Sequence, residues 1–225
     1  MATMRHQEHR PVEERREQLL EAASALARDG GLAAVTTRTV TQLAGLAHGA
    51  FHYCFASRGD LVEALLEREV LAVLQLAGDT GFAQPDPLAA IRGALEGFLR
   101  AVRSDPDRHL LLYELAVTVA RHAPARASRS RAETDRAVGD LVARWSHRVR
   151  LSWAVPIDAL AGAFTSAVAG LGMLWLSTRD EAAVGAAADA AALALASLCI
   201  PGPPDGAADP AAGRAADRAM DGAAA

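Results

Sequence analysis

The feature that most constrains this chain is a series of apolar residues at helical spacing, interrupted by glycine, proline and aspartate. In the first segment, Leu19, Ala23 and Leu26 follow one another at intervals of four and three residues, which places them on one helical face. Strong helix formers are abundant, above all alanine, whereas aromatic residues make up only 4% of the 225 residues. The pattern therefore predicts an all-α protein.

The helix breakers predict where the helices begin and end. Helices are expected at 13–29, 37–44, 48–54, 58–77, 87–104, 106–122, 157–178 and 181–199, with a further one that follows an arginine-rich turn at 124–131 and ends near Trp153. Ser57 and Asp60 resemble a capping box at the start of the fourth helix. This order predicts a flexible arm at 1–12, a small domain at 13–57, a linking helix at 58–77, a larger domain at 78–199 and a disordered tail at 200–225.

Composition excludes several classes of protein. The chain is 51% hydrophobic and 22% charged, which is typical of a soluble folded protein. A net charge of -4 argues against a globally basic nucleic-acid coat but leaves room for a local DNA-binding face. Two cysteines and a polar N-terminus favour the cytoplasm. Gly-rich phosphate loops, Gly-x-Ser-x-Gly turns and clustered metal ligands are missing from the sequence, so no enzyme, cofactor or metal site is predicted.

One stretch, 159–176, contains no charge and reaches the length of a membrane span. It is rich in small residues, Asp158 and Arg179 bracket it, and the next predicted helix carries Asp189 at its centre. Because a charge in mid-bilayer is costly, the pattern favours a buried helical interface and no membrane. A small membrane protein built around 157–199 stays the alternative.

Two short helices joined by a three-residue turn, within about 35–54, have the proportions of a DNA-reading helix-turn-helix. No acidic residue occurs between Asp29 and Asp60, although basic side chains such as Arg38 are present. An acid-free segment in a net acidic protein suits a face that approaches phosphates. Phe51 and Phe55 are four residues apart and are expected in the core.

Residues 15–69, RREQLLEAASALARDGGLAAVTTRTVTQLAGLAHGAFHYCFASRGDLVEALLERE, resemble the N-terminal domain of the tetracycline-repressor (TetR) family without a gap. The residues that carry the resemblance are Ala22, Ala23, Leu26, Gly31, Thr36, Thr37, Arg38, Ala44, Gly45, Leu46, Phe51, Tyr53, Phe55, Ser57, Arg58 and Leu61. The sequence departs from the family at Ala27, usually phenylalanine, and at Ala56, commonly proline. It also departs at His52, where a tyrosine commonly contacts the DNA backbone, and at Cys54, often Tyr or His.

The resemblance implies a one-component transcriptional regulator, a repressor that binds operator DNA as a homodimer and is released by a small-molecule effector. It implies backbone and base contacts from Thr36, Thr37 and Arg38, major-groove contacts from His48, Gly49 and Ala50, and phosphate contacts from His52, Tyr53 and Arg58. Arg38 is the best candidate for a bidentate guanine contact. The alternative is a helical ligand-binding or scaffold protein without DNA binding.

His48 and His52 also have a spacing that suits a transition metal. No acidic ligand completes such a set on that helical face, and Cys54 turns away from it. Phosphate contact is therefore the favoured interpretation.

Two further sites are predicted in the larger domain. Phe98, Tyr113 and Trp145 are candidate walls of a ligand pocket, with His109 as its polar group, which predicts a largely apolar effector; the alternative is that these aromatic residues are ordinary core. Small residues recur every fourth position in one helix, and they predict a dimer interface at Gly162, Ser166 and Gly170.

Overall fold

The computed structural model describes residues 12–80 and 84–201. In these ranges the order of helices is α1 (Val12–Gly30), a 3-10 turn (Leu32–Ala34), α2 (Thr37–Leu43), α3 (Ala50–Cys54), α4 (Arg58–Thr80), α5 (Pro87–Ser104), α6 (Pro106–His122), α7 (Pro124–Val149), α8 (Ile157–Thr178) and α9 (Glu181–Ala196). Two three-residue strands, β1 (Leu151–Trp153) and β2 (Cys199–Pro201), pair antiparallel. The predicted all-α class is confirmed. Residues 1–11 of the predicted arm and 202–225 of the predicted tail lie outside the described residues.

Side-chain caps explain why several helices begin where they do. The hydroxyl of Thr36 accepts a hydrogen bond from the Thr39 amide at 3.1 Å, and this pair forms a reciprocal capping box. Ser57 and Asp60 make the predicted box at the start of α4. The carboxylates of three further residues cap α5, α6 and α9, namely Asp86, Asp105 and Asp180.

The helices enclose two hydrophobic cores, and α6 contributes buried residues to the first while its Tyr113 packs against the second. The first core joins α1–α4 through fully buried residues such as Leu19, Phe51 and Leu65, and it includes Leu111 and Leu115 of α6. The second core joins α5, α7, α8 and α9, and its buried members include Leu95, Leu99, Trp145, Ala161 and Val184. A shift of α6 would therefore be felt in the packing of the N-terminal helices.

Several local predictions differ from the structure. The turn predicted at 124–131 is wrong, because α7 begins at Pro124, where the fixed φ and the missing N–H of proline fit a first helical position. The same helix ends at Val149 rather than near Trp153, since Arg150 adopts a left-handed conformation with φ 57°. The last helix, expected to reach residue 199, ends at Ala196. Cys199 and the expected tail residues Ile200 and Pro201 form β2 instead and pair with β1. Three-residue strands carry too little alternation to be detected.

Within the described ranges, one helix, Ile157–Thr178, is long and apolar enough to span a membrane. The core helix of a soluble protein meets the same criterion, so this helix by itself is weak evidence of a membrane span.

Candidate nucleic-acid interface and ligand cavity

The helix α3 is anchored by one face and exposed on the other. Phe51 and Phe55 are buried in the first core with ring centroids 5.7 Å apart, as their spacing predicted. On the outward face, Tyr53 is 79% exposed, and His52 is also exposed. Burial of two aromatic rings therefore fixes the orientation in which the remaining side chains of this short helix face solvent.

The start of α2 presents the other predicted contact residues. Thr36 is the N-cap and is exposed, Thr37 is half-buried, and Arg38 is exposed and makes no ion pair with the described residues. The helix ends at a turn in which Gly45 has φ +67°, a conformation that glycine adopts without strain. His48 and Gly49 follow this turn, and both are exposed at the start of α3.

Arg58 has surroundings that differ from those of the other predicted contacts. Its Nε donates to the carbonyl oxygen of Val35 and its Nη2 to that of Leu32, both at 2.5 Å. These carbonyls lie just before α2. Two of the guanidinium nitrogens of Arg58 are thus committed to the protein backbone, and they hold the segment before α2.

Arg16 is a supporting residue that the sequence analysis missed. Its Nη1 donates to the carbonyl oxygen of Cys54 at 3.1 Å, and its guanidinium lies 4.4 Å from the centroid of the Phe55 ring. The contact stabilises the C-terminal end of α3. Because Arg16 and Cys54 are 38 residues apart, no local pattern reveals the pair.

The imidazole rings of His48 and His52 meet edge to face with centroids 6.2 Å apart. Across the part of the chain that the structure describes, no group of three or more His, Cys, Asp or Glu side chains is arranged to hold a metal ion.

Two polar contacts attach the N-terminal helices to α6. The amide of Leu32 donates to Oε1 of Glu114 at 3.1 Å. Arg28, near the end of α1, donates to both carboxylate oxygens of Asp105 at 2.8 and 2.9 Å. Asp105 is also the N-cap of α6, so the end of α1 is joined directly to the start of α6.

A cavity of about 160 Å³ lies beside α6. Three of the four predicted pocket residues line it, namely Phe98, His109 and Tyr113. The remaining lining residues are Val70, Val73, Ala94, Leu112, Thr134, Val138, Leu141, Phe164, Thr165, Val168 and Ala169. Its walls come from α4, α5, α6, α7 and α8, which makes it a space between helices of the kind that binds small molecules.

Trp145 is not part of this cavity. It is 2% exposed in the second core, its Nε1 donates to the carbonyl oxygen of Gln84 at 2.9 Å, and its ring centroid lies 6.2 Å from that of Trp153. Of the two interpretations that the sequence left open, ordinary core packing describes Trp145.

Tyr113 closes one wall of the cavity against α8. Its hydroxyl donates to the carbonyl oxygen of Ala169 at 2.6 Å, and burial raises the pKa of Tyr113 to about 12. Gly172 permits this approach, because a Cβ there would lie 2.5 Å from the Tyr113 hydroxyl oxygen and 3.1 Å from the ring of Phe98.

His109 is the polar residue of the cavity wall. It is 3% exposed, its Nδ1 lies 3.0 Å from the carbonyl oxygen of Asp105, and its ring packs edge to face on Phe98. Its Nε2 is buried and has no hydrogen-bonding partner among the described residues.

The three small residues predicted as a dimer interface lie in different surroundings. Gly162 is half-buried beside α7, where Arg131 Nη2 donates at 3.0 Å to its carbonyl oxygen and also to the exposed hydroxyl of Ser166. Gly170 is exposed, and a Cβ there would meet nothing within 4 Å. Nearby on the same helix, Met173 is 42% exposed.

The N-terminal helices match a known protein family. Residues 19–65 fit the model of bacterial regulatory proteins of the tetR family. They form a TetR-family domain. The resemblance drawn from the sequence is thereby confirmed, and the matched range contains α2 and α3 entire.

Solved structures extend the similarity of fold beyond this TetR-family domain. The multidrug binding protein EbrR, complexed with imidazole, superimposes with a TM-score of 0.67 at 24% identity over 89% of this chain and 99% of that one. A TetR-family regulator structure from Rhodococcus sp. gives 0.65 at 19% identity over 83% and 98%. One from Pectobacterium atrosepticum gives 0.63 at 21% identity over 85% and 97%. No curated protein matches the chain. The larger helical part thus has the fold of TetR-family regulators too.

Proposed function

We propose that this protein is a cytoplasmic one-component transcriptional repressor that binds operator DNA as a homodimer and is released by a small-molecule effector. The observation that carries the proposal is a TetR-family domain with an exposed, acid-free helix-turn-helix, attached through α6 to a cavity. The DNA-binding, assembly and release steps are each supported by a separate observation.

In this proposal α3 enters the major groove. Its exposed start brings His48, Gly49 and Ala50 to base edges, while His52 and Tyr53 reach phosphates. From α2, Thr36, Thr37 and Arg38 contact the backbone, and Arg38 also reads a base. We assign Arg58 a supporting role in place of the expected phosphate contact, because its Nε and Nη2 donate to backbone carbonyl oxygens before α2. It acts as a positioning residue for the others.

A second copy of the chain is the occupant that we propose for the exposed face of α8 and α9. Gly170 leaves open space on α8, and apolar side chains are exposed on both helices, with Met173 42% and Leu193 55% exposed. Small residues such as Gly170 allow two helices to approach closely across a twofold axis. Binding of two helix-turn-helix domains to the two halves of an operator also requires a dimer, since the centres of such half-sites are about 34–36 Å apart.

Effector release is supported by Asp105, which contacts both the cavity wall and helix α1 of the N-terminal domain. The carbonyl oxygen of Asp105 lies against His109 of the cavity, and its carboxylate accepts from Arg28 of α1. A ligand that moves His109 therefore acts on the residue that holds α1. Such a ligand has to bind more tightly to one arrangement of the two N-terminal domains in the dimer. A coupling free energy of ~1–3 kcal/mol between ligand binding and DNA binding changes DNA affinity roughly 5- to 150-fold.

The proposal is tested by binding the full chain to the DNA upstream of its own gene, measured by fluorescence anisotropy. Arg38→Ala is expected to weaken binding roughly 5- to 150-fold, as for loss of a base contact worth ~1–3 kcal/mol. Arg144→Ala is the matched control, since it removes the same charge from an exposed position on α7. Equal affinity of Arg38→Ala and Arg144→Ala for this DNA would contradict the assignment of α2 and α3 as the DNA-binding surface.

A further inference from the structure

We propose that the cavity binds a neutral, compact, apolar molecule that donates one hydrogen bond, and that Nε2 of His109 accepts it. The inference rests on the ligand-responsive cavity of the proposed function and names the chemistry of its ligand. A single aromatic ring that carries a hydroxyl or N–H group is the class of molecule that fits.

The tautomer of His109 follows from its neighbours. A carbonyl oxygen accepts and never donates, so the contact between Nδ1 and the Asp105 carbonyl oxygen at 3.0 Å requires the hydrogen on Nδ1. In the uncharged imidazole, Nε2 then carries a lone pair. The ring therefore presents an acceptor.

The other polar groups of the wall have already used their hydrogens. The hydroxyl of Thr134 donates to the Ser130 carbonyl oxygen at 2.9 Å, and that of Tyr113 donates to the Ala169 carbonyl oxygen. The hydroxyl of Thr165 lies 2.5 Å from a carboxylate oxygen of Asp135, which can only accept. The lining thus offers acceptors and no uncommitted donor, which disfavours a carboxylate or a ligand that only accepts.

The volume of the cavity matches a ligand of about one ring. At about 160 Å³ it is close to the engineered apolar cavity of about 150 Å³ that binds benzene. Phe98, Val138, Leu141 and Phe164 supply apolar walls around such a ring. A buried Nε2 without a partner is unfavourable, so a ligand that donates to it gains more than one that merely fills the space.

The test compares three ligands of similar size by isothermal titration calorimetry on the full chain at neutral pH: phenol, anisole and benzoate. Phenol carries a donor, anisole keeps the ring and oxygen without a donor, and benzoate carries a charge. We expect phenol to bind about tenfold more tightly than either of the others. A preference below fivefold, tighter binding of benzoate, or no binding of phenol would overturn the inference. This comparison requires no variant and so does not depend on the folding of one.

Two variants then locate the acceptor. His109→Leu keeps the bulk of the side chain and removes Nε2, so phenol and anisole should bind it within twofold of each other. His147→Leu makes the same substitution at an exposed position of α7 that does not line the cavity, and the preference for phenol should persist. A tenfold preference that survives in a folded His109→Leu protein would assign the acceptor elsewhere and overturn the inference.

DNA binding is measured separately on the same samples. Phenol that binds through His109 without changing operator affinity would leave the ligand chemistry intact and contradict effector release. An operator complex that is released by a ligand without a donor, with no preference for phenol, would contradict the ligand chemistry alone.

Discussion

The amide of Leu32 donates to Glu114 Oε1 at 3.1 Å, across 82 residues of sequence. The carbonyl oxygen of the same residue accepts from Arg58. The 3-10 turn that precedes α2 is therefore held from α6 on one side and from α4 on the other. In the proposed mechanism of release, this turn transmits the position of α6 to α2 and α3.

The Leu32–Glu114 contact predicts a local change in amide hydrogen exchange. Glu114→Ala removes the acceptor, so the Leu32 amide should exchange faster, while Glu114→Gln retains an oxygen acceptor and should fall between this variant and the wild type. Glu133→Ala, an exposed change on α7, is the control. If the Leu32 amide exchanges at the wild-type rate in Glu114→Ala, the contact does not hold the turn in solution.

Arg38 and Arg58 should separate into a reading and a positioning residue. Arg58→Ala deletes two charge-assisted hydrogen bonds to carbonyl oxygens, so we expect its free energy of unfolding in urea to fall by ~1–2 kcal/mol. It should weaken the binding of all DNA sequences alike. Arg38→Ala should change the free energy of unfolding by less than about 0.5 kcal/mol while relaxing sequence preference. Unchanged stability of Arg58→Ala would instead favour its original assignment to a phosphate.

The exposed face of α8 predicts an effect of charge on assembly. Gly170→Glu places a carboxylate in open space within the proposed interface, and burying it there without a partner should give a folded monomer. Gly93→Glu is a matched control, because Gly93 is also a helical glycine with nothing within 4 Å. Sedimentation velocity should find a dimer for the control and a monomer for Gly170→Glu. A dimer in both would move the interface elsewhere.

Ser166→Trp tests the neighbouring turn of α8 and is also expected to give a folded monomer. Because Ser166 accepts from Arg131 of its own chain, this variant disturbs α7 as well. Gly170→Glu is therefore the cleaner of the two.

Gly172→Ala should narrow the cavity by displacing Tyr113. The new methyl group would lie 2.5 Å from the tyrosine hydroxyl oxygen, so that side chain has to move, and overpacking of this kind costs ~1–3 kcal/mol. Adding Tyr113→Phe removes the atom that the methyl group meets first and should recover part of the loss. The measurement is a double-mutant cycle on the free energy of unfolding. Strict additivity would show that the two side chains do not interfere.

Glu181 predicts a contribution to acid stability. Hydrogen bonds from Arg103 and from Trp175 Nε1 lower the pKa of Glu181 below its ordinary value of 4.5. A carboxylate with a depressed pKa stabilises the fold fully above the unfolded-state value, and the contribution is lost as the pH falls through the folded-state value. Glu181→Gln should therefore show a shallower loss of stability than the wild type below pH 4.5 and a parallel dependence above it, measured by urea unfolding.

The features that the sequence predicted correctly are those that depend on residues close together in the chain. Apolar periodicity and caps predicted α8 at its observed bounds and the burial of Phe51, because both depend on residues within a few positions. The roles of Arg16 and Arg58 depend on carbonyl groups far along the chain or turned inward, and no spacing signals them. Aromatic content alone did not separate Tyr113 of the cavity wall from Trp145 of the core.

The most direct test of the central claim is selection from a pool of random double-stranded DNA by the full chain, followed by sequencing of the bound fraction. We expect enrichment of an inverted repeat whose half-site centres lie about one helical turn, or a multiple of it, apart. The Arg38→Ala protein should lose the preference at a defined position in each half-site, and Arg144→Ala should keep it. A pool that stays random, or the same enriched sequence with Arg38→Ala, would contradict the account.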